Sequence, residues 1–211
     1  MTLLMILLCM TGQSAQGEDG CFYHEFRLGI CLFTSIPAMQ MEKDFADICS
    51  RAGVGYELDT FAWDWSIEFL RDLSERFRIR GSAGISSFNG SYKKYITMHD
   101  RAFSIDAQAF FLVNRGKDIS FSAGAGPVYV WVSRNLYSDN TTQAGSGSNI
   151  GLIASLRLDQ EWPWKIGNMS LLLALEAGYR SNSVVLDNEE ADGFEVDFSG
   201  PFFKFGSYIG L

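Results

Sequence analysis

Residues 203–211 read FKFGSYIGL, with polar and apolar positions in alternation. Phe203, Phe205, Ile209 and Leu211 share one face, and Lys204, Gly206 and Gly210 share the other, because successive side chains of a strand point to opposite sides. A strand with two such faces needs two different surroundings. In a soluble sandwich the apolar face meets a core and the polar face meets water. In a barrel that crosses a bilayer the apolar face meets lipid and the polar face meets the lumen. The stretch itself is compatible with both, and the rest of the chain decides.

The chain has 211 residues, 47% apolar, 14% aromatic and 20% charged, with four prolines. That supports one sizeable domain and excludes disorder and Pro-rich linkers. A net charge of −8 opposes nucleic acid, and equally anionic lipid, as an electrostatic partner. Beyond the N-terminus no apolar run approaches the roughly 18 residues of a spanning helix, so a membrane location requires a barrel.

The N-terminus has an apolar block, Leu3 to Met10, then small and polar residues up to Ala15-Gln16-Gly17. This order is that of a secretory leader, without the usual preceding Lys or Arg. The expected division is a cleaved leader over 1–17 and a barrel domain over 18–211. Cleavage removes Cys9 and leaves Cys21, Cys31 and Cys49 in an oxidising compartment. Cys31, late in the first strand, and Cys49, just before the second, are a candidate disulfide near one rim, with free buried thiols as the alternative.

Period-two segments separated by breakers follow along the chain. The first, about 22–34, places Phe26, Leu28, Ile30 and Leu32 on one face, and a polar connection over about 35–50 follows. The second, about 52–69, changes parity between Val54-Tyr56-Leu58 and Trp63-Trp65-Ile67-Phe69, which predicts a bulge near Thr60–Ala62. The third (about 76–88), fourth (about 101–113) and fifth (about 118–134) keep the alternation, with Pro127 expected at a bulge or the rim. A Gly/Ser-rich loop over 138–149 leads to the sixth, about 149–162, and the turn WPWKIGN to the seventh, about 168–184. The acidic loop DNEEADG precedes the last, about 197–211. Short breaks follow segments two, four and six, and longer polar ones follow one, three, five and seven. The pattern predicts an all-β fold, an eight-stranded antiparallel up-and-down transmembrane β-barrel.

Eight strands enclose room for side chains only, so the bulky apolar faces belong outside and the Gly-, Ser- and Ala-rich faces inside. The lumen then holds the acids Glu57, Asp59, Asp64, Glu68, Asp106, Asp159 and Glu176 and the bases Arg27, Arg78, Arg80, Arg157, Arg180 and Lys204. The two signs nearly balance, as a narrow interior demands. Two readings remain, a salt-bridge plug or the selectivity lining of a narrow pore. Trp63, Trp65, Trp162 and Trp164 are expected in an aromatic girdle at the turn side, with Tyr129, Trp131, Tyr137 and Tyr179 in an outer one.

Together with this architecture, KFGSYIGL at 204–211 resembles the C-terminal assembly signal of outer-membrane barrels, through Lys204, Gly206, Ile209 and the terminal Leu211, where many members carry an aromatic. The chain resembles the small OmpA/OmpX-type barrels. That resemblance implies a bacterial outer membrane, insertion by the outer-membrane assembly machinery, and lipid and lipopolysaccharide as surroundings. The expectation is a monomer without cofactor, metal or nucleic acid, serving structural anchoring or surface interaction through extracellular loops. The alternatives are a small channel for ions or small solutes and, third, a lipid A-modifying enzyme. For the enzyme, His24 and His99 are the only histidines, and His99 with Ser104 or Asp100 is the available pair. Asp187, Glu189, Glu190 and Asp192 lack the spacing of a dedicated cation loop and read as a solvated surface.

Overall fold

The computed structural model describes residues 26–53, 59–92, 96–116, 118–138, 141–166, 169–188 and 191–210. Its elements are β1 (Phe26–Ser35), α1 (Ile36–Arg51), β2 (Asp59–Asp72), β3 (Phe77–Tyr92), β4 (Ile96–Arg115), β5 (Ile119–Ser138), β6 (Thr141–Ile166), β7 (Met169–Ser181), β8 (Ser183–Asn188), β9 (Ala191–Asp197) and β10 (Gly200–Gly210). Each of β1 to β6 pairs antiparallel with the next, β7 pairs with β10, and β10 returns to β1. The ladder therefore closes into an eight-stranded antiparallel barrel. β8 and β9 prolong β7 and β10 past the closed ring as a hairpin.

The outward face is apolar on every strand of the ring. Ile30 on β1, Ile67 on β2, Phe77 on β3, Ile105 on β4, Ile119 on β5, Leu152 on β6, Leu175 on β7 and Phe203 on β10 are all exposed, while most of their neighbours at the opposite parity turn in. A continuous apolar outside of this extent is what a bilayer covers and water does not.

The connections differ from the sequence expectation. Breaks between β2 and β3, β4 and β5, and β6 and β7 are tight; Leu73 N–H donates to Phe77 O at 2.8 Å and Gly116 N–H to Ile119 O at 2.8 Å. At the opposite end the long loops are largely replaced by strand. The Gly/Ser-rich stretch belongs to β6, whose ladder with β5 runs out to Ser138↔Thr141. The acidic stretch is mostly the β8–β9 hairpin. Small residues are tolerated there because the partner strand passes close: a Cβ on Gly147 would strike the carbonyl of Val185 on β8.

The expected polar connection over 35–50 is α1. Pro37 stands in its first turn and Arg51 in its last, and Gly53, at φ 71°, provides the left-handed residue that ends it. Phe45, Ile48 and Cys49 fall at the i, i+3, i+4 spacing of one buried helix face.

Two expected bulges are absent where they were placed. β2 pairs with β3 from Asp59↔Ser91 to Asp72↔Arg78 without a shift, so no bulge falls at Thr60–Ala62, and Val54, Tyr56 and Leu58 lie outside the described residues. Pro127 lies inside β5, paired to Leu152 of β6. On its β4 side the register is kept but the pairing skips from Asp106↔Val128 to Ala109↔Ala125, since proline has no N–H to give. The shift in that ladder falls instead between Leu112 and Asn114.

Candidate functional site: a filled lumen

The inward faces assemble two layers of opposite character. Toward the tight turns lies a charge network. Arg80, fully buried, donates to Glu176, donates to Asp106 Oδ1 at 3.0 Å and stands 3.5 Å from Glu68. Lys204 Nζ donates to Glu68 Oε1 at 2.9 Å and Tyr208 Oη donates to Glu68 Oε2 at 2.7 Å. Arg157 Nε donates to Asp159 Oδ1 at 2.7 Å, and its Nη1 lies 3.6 Å from both Glu68 and Glu176. Arg78 bridges Asp159 and Asp72, with 2.5 Å from its Nε to Asp72 Oδ1. Neutral donors complete the set: Ser82 Oγ reaches Asp106 Oδ2 at 2.6 Å and Gln108 Nε2 reaches Asp106 Oδ1 at 3.3 Å.

These contacts join six strands across the lumen. An unpaired buried charge costs several kcal/mol, so alternating signs are the arrangement that lets so many charges share one dry interior. Aromatics supply the rest of the packing. The guanidinium of Arg157 lies 4.6 Å from the ring centre of Tyr208 and that of Arg80 lies 5.4 Å from Phe110. Tyr208 fits because its cross-strand partner is Gly29, where any Cβ would occupy the ring's place.

Of the charges predicted for the lumen, Arg27, Asp64, Glu68, Arg78, Arg80, Asp106, Arg157, Asp159, Glu176, Arg180 and Lys204 are buried there. Arg27 lies at the turn end, 3.7 Å from Glu161. Glu57 lies outside the described residues. The side chain of Asp59, in β2, likewise lies outside the described residues. Asp72 joins the network and was missed, because it sits at the edge of a break.

Toward the helix end the lumen is apolar, which overturns the expectation of a small-residue interior. Phe88, Met98, Ala102, Val128, Val130, Val132, Ile153, Val184, Val196, Phe198 and Phe202 form one core with Phe45 and Cys49 of α1. The helix seals this core from above. Arg134 on β5 fixes it, donating to Asp100 Oδ2 at 2.6 Å and to Asp44 Oδ2 of α1 at 3.1 Å. The sequence signal was the unbroken run Val128-Tyr-Val-Trp-Val132, apolar on both faces and therefore buried on one and lipid-facing on the other.

Cys31 and Cys49 are both free and belong to different layers. Cys31 Sγ lies 3.0 Å from Tyr208 Oη; since that hydroxyl donates to Glu68, the thiol donates to it. Cys49, on the buried face of α1, lies in the apolar layer, where burial raises its thiol above the ordinary value. Cys31 lies on β1 beside Tyr208, so the predicted rim pairing does not form.

Among the expected girdle residues, Trp131 and Trp162 are exposed, the latter near the β6–β7 turn as predicted. Trp65 is not at the turn side. It lies midway along β2, in a row of cross-strand partners that runs Trp65, Ile85, Phe103, Trp131. The side chains of Trp63 and Trp164 lie outside the described residues. His99 is exposed while Ser104 and Asp100 are buried inside the wall, so the candidate catalytic pair is split between two faces. In β10, Lys204 and Gly206 turn in and Ile209 turns out; Leu211, like the leader, Cys21 and His24, lies outside the described residues. Asp187 is exposed on β8, Glu189 and Glu190 lie outside the described residues, and no metal-ligating group occurs among the described residues.

No protein-family profile and no curated protein matches the chain. Among solved structures, Ail, the attachment invasion locus protein of Yersinia pestis, aligns over 89% of this chain and 97% of its own, at 12% identity and TM-score 0.48. OprG from Pseudomonas aeruginosa aligns over 90% and 96%, at 9% identity and TM-score 0.49. A major outer membrane protein from Thermus thermophilus aligns over 89% and 99%, at 10% identity and TM-score 0.47. By its own closed ladder and outward apolar faces, this chain has the fold of the small eight-stranded outer-membrane β-barrels.

Proposed function

We propose that the protein is a closed, non-conducting barrel of the bacterial outer membrane that anchors and displays its protruding hairpins for surface interaction. It works as a monomer, embedded in outer-membrane lipid and lipopolysaccharide after insertion by the assembly machinery, with no cofactor and no chemistry of its own. The observation that carries this reading is the lumen, filled twice over. A solute would have to displace both the ion pairs around Arg80 and the apolar core beneath Phe45. The hairpins β5–β6 and β8–β9 extend beyond the closed ring; β5–β6 is largely exposed, while β8–β9 buries Val184, Leu186 and Val196 and exposes Val185, Asp187, Glu195 and Asp197.

Single-channel recording of the refolded mature chain in a planar bilayer tests it, beside a heat-modifiability gel that reports the closed barrel. Silence with a heat-modifiable band is expected. Steady unitary current from the same preparation overturns the plug and makes transport the function.

A further inference from the structure

The chain is acidic overall, yet its charge is unevenly placed on the outward surface. The odd-numbered residues of β3, β4 and β5, which carry the outward face of these three adjacent strands, include no aspartate or glutamate. The outward acids of the hairpin, Asp187, Glu195 and Asp197, are exposed on β8 and β9.

On the acid-free face the rows of cross-strand partners change character step by step toward the helix end. Ile67, Ala83, Ile105 and Tyr129 form one row, and Trp65, Ile85, Phe103 and Trp131 the next. Immediately beyond, Ser87, Arg101 and Ser133 are partners, then Asn89, His99 and Asn135. Arg101 and His99 are both exposed, and Arg101 has no ion pair or hydrogen bond among the described residues. His99 is oriented: its Nδ1 lies 2.6 Å from Asn89 Oδ1 and its ring packs edge-on against Tyr137 at 6.0 Å. With Asn89 accepting from Nδ1–H, Nε2 is left for a ligand.

We propose that Arg101 and His99 bind the phosphate of an outer-leaflet lipid headgroup, with Ser133 and Asn135 as neutral donors beside it and the acyl chains lying along Phe103 and Trp131. This rests on the outer-membrane reading above and gives that surface a specific partner. A guanidinium suits a phosphate because it offers paired donors, and an imidazole, when protonated, donates from both nitrogens, here one to Asn89 and one to the phosphate. The aromatic row marks where hydrocarbon ends; Arg101, one row beyond, and His99, two rows beyond, stand at headgroup height. The net charge of −8 argued against an anionic lipid as partner. Its segregation to other strands removes that objection locally, since charges farther than about 8–10 Å are screened at physiological salt.

The test is native mass spectrometry of the full refolded chain, released from zwitterionic detergent with diphosphorylated lipid A or its dephosphorylated form. Retention of the phosphorylated lipid is expected, with Arg101→Gln weakening it about tenfold, Arg101→Lys recovering part, and His99→Gln weakening it less. Asp187→Asn changes net charge by one unit in the opposite sense to Arg101→Gln and is expected to leave retention unchanged. Equal retention of the dephosphorylated lipid, no effect of Arg101→Gln, or an equal and opposite effect of Asp187→Asn overturns the site. Displacement of the lipid by equimolar inorganic phosphate overturns the lipid as its ligand. A heat-modifiability gel and vesicle insertion on the same samples report the barrel itself, so loss of lipid binding is distinguishable from failure of the outer-membrane reading.

Discussion

Replacing Arg80 by Met removes the cation on which three buried carboxylates converge, and keeps a side chain of similar length. Asp106 loses a 3.0 Å partner, Glu68 one at 3.5 Å, and Glu176 its donor. Glu68 keeps Lys204 and Tyr208, and Asp106 keeps Ser82 and Gln108. Glu176 keeps the 3.6 Å contact with Arg157. Breaking one partner of a buried pair costs about 3–5 kcal/mol because the remaining charge stays desolvated. With an m-value of about 2 kcal/mol per molar urea, the unfolding midpoint in micelles falls by roughly 1.5–2.5 M. The double variant Arg80→Met/Glu176→Gln removes the least compensated carboxylate along with the cation, and is expected to recover about 1 kcal/mol or more of the loss. A single-variant cost below about 1 kcal/mol, or a double variant that merely adds the two single costs, would refute charge compensation as what holds this layer together.

Two further outcomes are expected. Phe45→Ala empties a position at 0% exposure against Phe88; the local loss is about 3–5 kcal/mol, seen as rapid hydrogen exchange and protease cleavage within 36–51 while the heat-modifiable band persists. Unchanged exchange there would show that α1 is not held by its apolar face. Leu175→Arg, on the outward face at 55% exposure, costs about 2–4 kcal/mol if that face meets the bilayer midplane, read as a lower urea midpoint in vesicles; a neutral result would remove the belt from the membrane.

The strand count and the facing of most strands were legible because period two survives even where a strand is unevenly polar. Phe77, Ile79, Ala83 and Ile85 against Arg78, Arg80, Ser82 and Ser86 need no partner to reveal which side each takes. Most of the lumen charges followed from the same parity. The helix α1 was hidden in a stretch that reads as a polar connection; the buried face it shows among the described residues is small, Phe45, Ala46 and Cys49 with Ile48 half-buried, and its signals are the quieter ones of Pro37 and Gly53. The loop expectation for 138–149 failed for a related reason. Glycine and serine mark loops when nothing pairs with them, but here β5 supplies a full ladder, and tertiary pairing overrides local propensity.

Alternation alone determined that this chain forms strands with one apolar and one polar face, and side-chain volume determined that the bulky face looks out, because eight strands leave no room for it within. Which charges meet is a different matter. Arg80 is 96 residues from Glu176 and Lys204 is 136 from Glu68, and only the shear of the closed ladder brings them to one height. The same closure stacks an apolar layer on the charged one and sets α1 over both. It also separates Cys31 from Cys49 and places Arg101 one row beyond Phe103 and Trp131. Parity along a strand is local chemistry; height along the barrel is a property of register, which exists only when every strand has found its neighbour.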